Sequence, residues 1–258
     1  MAVILEGGCR VSEMFEGEPV VSGTLRIWNR IGRATGAQAI SLRVMEFAPG
    51  TSPNIRNEDC DQILYLVRGD HEPERASGSV DLMVNARSHS LDYDTGVYIR
   101  PGETFSARNS DSDSITFISS QCPDPDRPPH FVEGTGSSES LHTSPIVRLA
   151  DQRAQPTSDR WYRVLVDERV GSTQVTQFVG SIPPGRAPDH FHNYEEVLFI
   201  LKGSGLMWAG ETNTPISAGS CIYLPEGQVH CVENTGPGEL RLLGIFYPAG
   251  SPSVRYDA

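Results

Sequence analysis

The sequence is poor in positive charge and in long apolar runs. Over 258 residues it has 21 Lys and Arg residues against 33 Asp and Glu residues, a formal net charge of −12. Such a field repels polyanions such as DNA and acidic membrane surfaces. The longest apolar runs, such as Val197–Leu201, fall far short of the roughly 20 residues that a membrane-spanning helix needs. We therefore expect neither a nucleic-acid-binding protein nor a membrane protein.

Closely spaced cysteines are absent as well. The cysteine count of five is odd, and no two cysteines have the C-x-x-C spacing of zinc or redox motifs. The start of the chain, Met1–Glu6, lacks a basic region followed by a long apolar stretch, so we expect no secretory signal. Free thiols in a cytoplasmic protein are the simplest interpretation. The five are Cys9, Cys60, Cys122, Cys221 and Cys231.

Short apolar runs bounded by turn residues recur along the whole chain, and long helical periodicity is missing. The 25 Gly and 19 Pro residues are spread between these runs. Many short strands with frequent turn signals are typical of all-β sandwiches and barrels, which is the fold class that we predict. The runs are 41–47, 63–67, 80–84, 97–99 and 115–119 in the first half, and 162–166, 174–179, 197–201, 221–224 and 240–247 in the second.

The two halves of the chain are similar to each other. The segment 62–69 (QILYLVRG) parallels 196–203 (EVLFILKG), and 98–103 parallels 222–227. Between the halves, 121–160 is rich in Pro, Ser, Asp and Gly, a composition typical of an extended surface connection. We therefore predict a duplicated β-domain, with an N-terminal barrel over 1–125, a linker over 126–160 and a C-terminal barrel over 161–258.

One group of residues in the second half has the spacing of a metal site. His190 and His192 are two residues apart, so on a strand they project from the same face. Glu196 precedes the apolar run 197–201, and His230 follows a Pro-x-Gly turn. A lone His-x-His pair is also typical of surface or hydrogen-bonded core histidines. Three histidines and one glutamate converging inside a small barrel predict a site for a divalent metal.

Together these residues resemble the two signature motifs of the cupin superfamily. Carried over position by position, the resemblance implies that the metal ligands are His190, His192, Glu196 and His230. With the internal repeat it also implies a bicupin, two tandem jelly-roll-like β-barrels in one chain. The two motifs, one spacing of which is a residue shorter than usual, are Gly185-x4-His190-x-His192-x3-Glu196-x6-Gly203 and Gly219-x5-Pro225-x-Gly227-x2-His230-x3-Asn234.

The first half departs from these motifs at the ligand positions. Arg56 and Glu58 stand at the positions of the paired histidines, Gln62 at that of the glutamate, and Phe105 at that of the third histidine. We therefore expect no metal in the N-terminal barrel. Arg56 and Glu58 could form an ion pair inside this barrel beside Gln62, or a local bulge could turn either of them to solvent.

The predicted ligand set limits the metal and the chemistry. Three imidazoles and one carboxylate suit Fe(II), Mn(II), Ni(II) or Co(II), whereas Zn(II) is an option that prefers four ligands. We expect a metal-dependent enzyme acting on a small organic molecule, with a dioxygenase-like oxidoreductase favoured narrowly over a non-redox isomerase, lyase or hydrolase. A non-catalytic metal- or ligand-binding bicupin is the remaining alternative. No further catalytic residue can be assigned from the spacing.

Aromatic residues near the predicted ligands indicate an apolar pocket for a small planar or organic-acid substrate, although any one of them is more often a core residue. Arg163 and Arg186 are candidate anchors for an anionic substrate, or are simply exposed. We also expect a homodimer, because pairing of edge strands between subunits removes unpaired backbone groups, with Met1–Val21 as a candidate exchanged segment. The candidate pocket residues are Phe178, Phe191, Phe199, Met207, Trp208, Tyr223 and Phe246.

Overall fold

A computed structural model describes residues 1–68, 80–136, 144–157 and 159–253, together with the backbone of residues 256–257. Gly69 of the first repeat copy, and 137–143 and 158 of the predicted linker, lie outside the described residues. No helix in the described ranges is long and apolar enough to cross a membrane. The helical elements there are short 3-10 turns at Glu6–Gly8, Arg33–Thr35, Leu149–Asp151 and Glu168–Val170.

Strands make up almost all of the regular structure, and every recorded pairing between them is antiparallel. Those up to the predicted linker and within it are β1 (Val3–Ile4), β2 (Arg10–Glu13), β3 (Val20–Ser22), β4 (Leu25–Ile31), β5 (Leu42–Phe47), β6 (Gly50–Thr51), β7 (Asn54–Arg56), β8 (Asp61–Val67), β9 (Val80–Val84), β10 (Arg87–Leu91), β11 (Thr95–Ile99), β12 (Thr104–Asn109), β13 (Ile115–Cys122), β14 (His130–Val132), β15 (Ile146–Arg148) and β16 (Gln155–Thr157). Those that follow are β17 (Arg160–Val166), β18 (Thr176–Ile182), β19 (Gly185–Arg186), β20 (His190–Phe191), β21 (Glu195–Lys202), β22 (Ser204–Ala209), β23 (Thr212–Ser217), β24 (Ser220–Leu224), β25 (His230–Asn234), β26 (Leu240–Tyr247) and β27 (Tyr256–Asp257).

These strands form two barrels, each with one large and one smaller sheet. The first barrel has the orders β15-β11-β8-β13-β5-β4-β3 and β10-β9-β12-β7-β14, with β6 beside β12. The second has β1-β2-β24-β21-β26-β18-β17-β16 and β23-β22-β25-β20-β27, with β19 beside β25. The central strands correspond one for one between the barrels, so β8 is the counterpart of β21, β7 of β20 and β12 of β25. The prediction of an all-β chain with two tandem jelly-roll-like barrels is confirmed.

Segments outside the repeated strands connect the two barrels. The N-terminal strands β1 and β2 extend the large sheet of the second barrel, where β2 pairs with β24. Two short strands of the predicted linker, β14 and β15, pair with β7 and β11 of the first barrel. The limits 1–125, 126–160 and 161–258 remain predictions, and these pairings cross them.

The central strands of the two large sheets are buried on both faces, which explains their continuous apolar runs. On β21, Val197 and Phe199 belong to an apolar cluster that both barrels share. Leu198 and Ile200 alternate with them and belong to the interior of the second barrel. Because side chains alternate along a strand, Glu196 points into the second barrel and its neighbour Glu195 towards the first.

Candidate metal centre

The structure brings the four predicted ligand side chains together inside the second barrel. His190 on β20 lies directly opposite His230 on β25 in the sheet register. His192 follows β20, and Glu196 lies on the inward face of β21. One side-chain nitrogen of each histidine lies within 4.8 Å of those of the other two. Oε2 of Glu196 lies 3.7 Å from Nε2 of His192 and 3.6 Å from Nε2 of His230.

Backbone carbonyls orient two of the imidazoles. Nδ1 of His190 lies 3.0 Å from the carbonyl oxygen of Pro188, and Nδ1 of His230 lies 2.8 Å from that of Gln228. A carbonyl oxygen only accepts hydrogen bonds, so in each case Nδ1–H donates and Nε2 keeps its lone pair. Fixing a ring through its second nitrogen is the usual arrangement for a histidine that ligates a metal.

Burial gives this cluster its electrostatic character. Glu196 and His230 are each 4% exposed. Burial raises the pKa of Glu196 from 4.5 to about 8. Burial, together with the neighbouring His190, lowers the pKa of His230 from 6.5 to about 3. The folded protein without a cation therefore disfavours charge at both residues.

The donor set fits a divalent cation. Oε2 of Glu196 is buried and accepts no hydrogen bond from any described residue. Such an orphaned acceptor is unfavourable in a protein interior. A cation between Glu196 and imidazoles that present Nε2 lone pairs would compensate both the buried carboxylate and the neutral rings. The geometry supports a site with three nitrogen donors and one oxygen donor.

A pocket of about 690 Å³, including its part open to solvent, leads from this cluster to the surface. Its wall is mainly apolar and includes Phe178 and Phe246, whose rings contact each other with centroids 4.9 Å apart. Arg160 contributes a cation to the lining, with a side chain only 13% exposed and Nε 2.9 Å from a carboxylate oxygen of Asp159. The pocket therefore offers an apolar cavity with a guanidinium, which suits a small organic anion.

The two predicted arginine anchors do not line this pocket. Arg163 donates to the carbonyl oxygen of Leu149, and Arg186 binds Asp189 and stacks over Trp208 at 4.2 Å. Arg160 was missed by the sequence reasoning. The alternation of β17 was a usable signal for Arg160. Side chains of every second residue lie on the same face of a strand, so Arg160 lies on the inward face together with Tyr162 and Val164.

Of the seven candidate pocket residues, the described lining includes two, Phe178 and Phe246. Phe199 and Tyr223 face the first barrel in the shared cluster. Met207 packs in the core of the second barrel, and the indole of Trp208 donates to Glu233. These positions were predicted from nearness in sequence, whereas the alternation along each strand decides which residues face inward.

In the first barrel the equivalent residues are arranged differently. Phe105 is 1% exposed and packs in the core, and Gln62 is buried with its Nε2 3.1 Å from Oγ of Ser119. Arg56 and Glu58 are both exposed. Glu58 pairs with residues of the linker rather than with Arg56 (see below). The sequence left open whether Arg56 and Glu58 form an ion pair inside the barrel or turn to solvent. Their exposure matches the second alternative.

Comparison with known proteins agrees with this geometry. The Cupin_2 family model, described as a cupin domain, matches residues 178–246, which hold all four clustered side chains. The chain therefore contains a cupin domain. Its bicupin architecture is similar to that of a deletion mutant of oxalate decarboxylase from Bacillus subtilis, with a TM-score of 0.73 over 92% of this chain and 76% of the other. At 14% identity this likeness shows the fold alone.

Two curated cupin relatives match shorter stretches. Auxin-binding protein 1 of Arabidopsis thaliana is 36% identical over 86 residues, which is 30% of this bicupin and 43% of the relative. The oxalate-binding protein of Thermotoga maritima is 35% identical over 67 residues, 25% of this chain and 55% of the relative. The matched stretches thus span about half the length of these relatives.

Proposed function

We propose that the second barrel holds one divalent transition metal on His190, His192, Glu196 and His230, and that it catalyses a reaction of a small organic carboxylate. Three imidazoles have nitrogens within 4.8 Å of one another, and two of these rings lie beside a buried, otherwise unbonded carboxylate oxygen; this arrangement carries the proposal. A metal bound there would supply Lewis-acid or redox chemistry. The Fe(II), Mn(II), Ni(II), Co(II) and Zn(II) ions are all compatible with the donor set.

The residues of the chain would bind and orient the substrate. The guanidinium of Arg160 can pair with a carboxylate in the pocket, where the surrounding apolar wall excludes water and strengthens the ion pair. The backbone carbonyls that hold Nδ1 of His190 and His230 keep both rings in one orientation throughout. The names of two similar proteins, an oxalate-binding protein and an oxalate decarboxylase, also favour a carboxylate.

Within this class we propose a dioxygenase-like oxidoreductase. Glu196 contributes the one carboxyl group that lines the pocket in the described part of the chain, and it belongs to the proposed ligand set. A second carboxyl group for general acid–base catalysis is thus missing from that lining. A reaction driven by oxygen at the metal depends less on such a group than proton-transfer chemistry does.

A non-redox lyase, such as a decarboxylase, is the second candidate. The structural likeness to oxalate decarboxylase favours it. Such an enzyme must protonate the carbon that loses carbon dioxide, so it needs a proton donor in the pocket. A non-catalytic bicupin that binds the metal or a ligand without turnover is the third candidate.

Metal analysis followed by two turnover assays tests these candidates. The untagged protein, purified without oxygen, is analysed for metal by plasma mass spectrometry and then screened with aromatic and short-chain carboxylates. Oxygen consumption with about one iron per chain supports the oxidoreductase. Carbon dioxide release without oxygen consumption supports the lyase, and ligand binding without either product supports a binding protein. A chain that takes up no divalent metal, even after reconstitution, would refute the metal site.

Substitution of Arg160 tests the substrate class. Arg160→Met removes the cation of the pocket, so we expect KM for a carboxylate substrate to rise about 10–100-fold, as for loss of a buried charged hydrogen bond. Arg163→Met is the matched control, because Arg163 binds a backbone carbonyl and does not line the pocket. Equal effects of the two substitutions would contradict the role of Arg160.

We also propose that the chain forms a homodimer through its N-terminal region. The large apolar side chains that are exposed in the described residues all lie within the first 21 positions. Strands β1 and β3 in this region are the edges of the two large sheets. Light scattering tests the proposal: a particle of twice 28.2 kDa supports it, and one of 28.2 kDa refutes it.

A cytoplasmic location is proposed from the cysteines. All five are free and buried in the structure. Burial raises the pKa of Cys9 and of Cys60 to about 12, so both thiols stay protonated and unreactive. Native cell fractionation tests the location, and recovery of the protein outside the cytoplasm would contradict it.

A further inference from the structure

We propose that the first barrel binds a small hydroxycarboxylate without a metal, at the position equivalent to the metal centre of the second barrel. A pocket of about 390 Å³, including its part open to solvent, lies there. Its polar lining combines a buried amide, a buried guanidinium and charged residues at the rim. These are Gln62, Gln121, Arg43, Arg56, Glu58 and His130.

Gln62 supplies an unsatisfied acceptor in this pocket. It occupies on β8 the place that Glu196 occupies on β21, and it is 2% exposed. Its Nε2 donates to Oγ of Ser119, while its Oε1 is buried and accepts no hydrogen bond from the described part of the chain. Native proteins rarely leave such a group without a partner. A ligand hydroxyl group would satisfy it.

Arg43 supplies a buried cation beside this acceptor. It is 7% exposed, and burial lowers its pKa. Its recorded acceptors are Oε1 of Gln121, the carbonyl oxygen of Arg127 at 3.2 Å and a carboxylate oxygen of Asp124 at 3.7 Å. A guanidinium has more N–H groups than these three acceptors use, so Arg43 can still donate to a ligand carboxylate.

The rim of the pocket keeps a second cation available. Glu58 lies 2.9 Å from Nδ1 of His130 and 3.2 Å from Nη2 of Arg127, so its recorded partners are residues of the linker and not Arg56. Arg127 also contacts Asp59 at 2.6 Å. Arg56 has no ion pair with any described residue, although it lines the same pocket. Its charge is therefore not cancelled by a direct partner, so its guanidinium can pair with an anion at the mouth of the pocket.

The class of ligand follows from these groups together. Arg43 and Arg56 can bind a carboxylate, and Oε1 of Gln62 can accept a hydrogen bond from a hydroxyl group. The small pocket selects a short molecule. Phe105 fills the position of the third histidine, so binding does not depend on a metal. The proposal is independent of the function assigned to the second barrel.

Calorimetric titration of the full chain with glycolate and with acetate tests this inference. The two anions differ by the hydroxyl group that Gln62 would bind, so we expect glycolate to bind about tenfold more tightly. The titration is repeated with His190→Ala, which disables the metal centre. Retention of one equivalent of bound glycolate in this variant assigns the site to the first barrel.

Two substitutions locate the contacts, and a third is the matched control. Gln62→Met should weaken glycolate binding to the level of acetate, and Arg56→Met should weaken both anions about tenfold. Gln177→Met replaces another fully buried glutamine, which lies on β18 outside the pocket, and should leave both affinities unchanged. Arg56 is exposed, so its variant reports on the site even if the replacement of Gln62 impairs folding.

The inference is refuted by any of three results. Glycolate binding that disappears in His190→Ala would belong to the metal centre. An unchanged preference for glycolate in a folded Gln62→Met variant would exclude the proposed hydroxyl contact. Finally, absence of any heat of binding with glycolate would exclude the ligand class.

Discussion

Replacement of Glu195, the neighbour of Glu196, should weaken metal binding in the second barrel. The reason is that Glu195 holds the strand of Glu196 against the first barrel. Glu195 is 7% exposed and faces away from the metal centre. Its two carboxylate oxygens each accept a hydrogen bond of 2.7 Å, one from the backbone N–H of Gln38 and one from that of Ala39. Both donors belong to the first barrel. The hydroxyl group of Tyr223 donates to the same carboxylate.

These contacts fix the start of β21, which carries Glu196. Tyr194, the residue directly before β21, stacks on His192 with ring centroids 4.9 Å apart and an interplanar angle of 9°. Loss of the Glu195 carboxylate therefore loosens the strand on which one ligand lies and the ring that supports another. In other metal sites, loss of supporting hydrogen bonds lowers affinity about 10–100-fold.

We expect Glu195→Gln to weaken metal binding about tenfold, and Glu195→Ala to do so more strongly. The free energy of unfolding should fall by about 1–2 kcal/mol for Gln, which keeps one acceptor, and by about 2–4 kcal/mol for Ala, which leaves two backbone N–H groups without one. Competition with a fluorescent chelator measures the affinity, and denaturant unfolding followed by circular dichroism measures the stability.

Asp61→Asn is the matched control for this effect. Asp61 precedes Gln62 in the repeat as Glu195 precedes Glu196, and it is 3% exposed. It accepts hydrogen bonds from Tyr98 of the first barrel (2.8 Å) and from Ser172 of the second (3.5 Å). We expect this variant to lose stability but to keep its metal affinity. If Glu195→Gln and Asp61→Asn change the metal affinity equally, or if neither changes it, the positioning role of Glu195 is wrong.

Three further predictions concern the metal centre. His190→Ala or His230→Ala should remove most of the bound metal and leave the far-ultraviolet circular dichroism unchanged, because the barrel wall is apolar; full metal content in either variant would overturn the ligand assignment. Phe105→Leu should leave the metal content at the wild-type level, and a loss would mean that the first barrel contributes to binding. In the metal-free protein, the raised pKa of Glu196 means that the folded state holds a proton that the unfolded chain releases, so the free energy of unfolding should fall by about 1.4 kcal/mol per pH unit between 6.5 and 8. Between pH 4.5 and 6.5 the lowered pKa of His230 contributes a slope of opposite sign, because the unfolded chain then binds a proton at His230 that the folded chain lacks, and the two slopes cancel. Below pH 4.5 only the His230 contribution remains, so the free energy of unfolding should decline as the pH falls further. Unfolding curves of the metal-free protein and of Glu196→Gln measure this dependence, and an equal slope in both would exclude Glu196 as its source.

The local sequence, together with its resemblance to the cupin motifs, was sufficient to predict the two barrels and the four clustered residues. A spacing of two places His190 and His192 on one face of an extended segment, and the apolar run after Glu196 marks a buried strand. These rules act over a few residues, so they can be read without knowing which strands pair. The repeated segments 62–69 and 196–203 extended the same reasoning to the first barrel.

Contacts between distant parts of the chain were decided by the tertiary structure alone. The pairing of β2 with β24 depends on an open sheet edge, which no local pattern describes. The same holds for Glu195, whose partners lie 157 and 156 residues away in the sequence. The choice of Arg160 over Arg163 as the pocket cation depends on which face of β17 meets the interior. Spacing therefore determined which four side chains meet, whereas the packing of two barrels determined their support and the shape of the pocket.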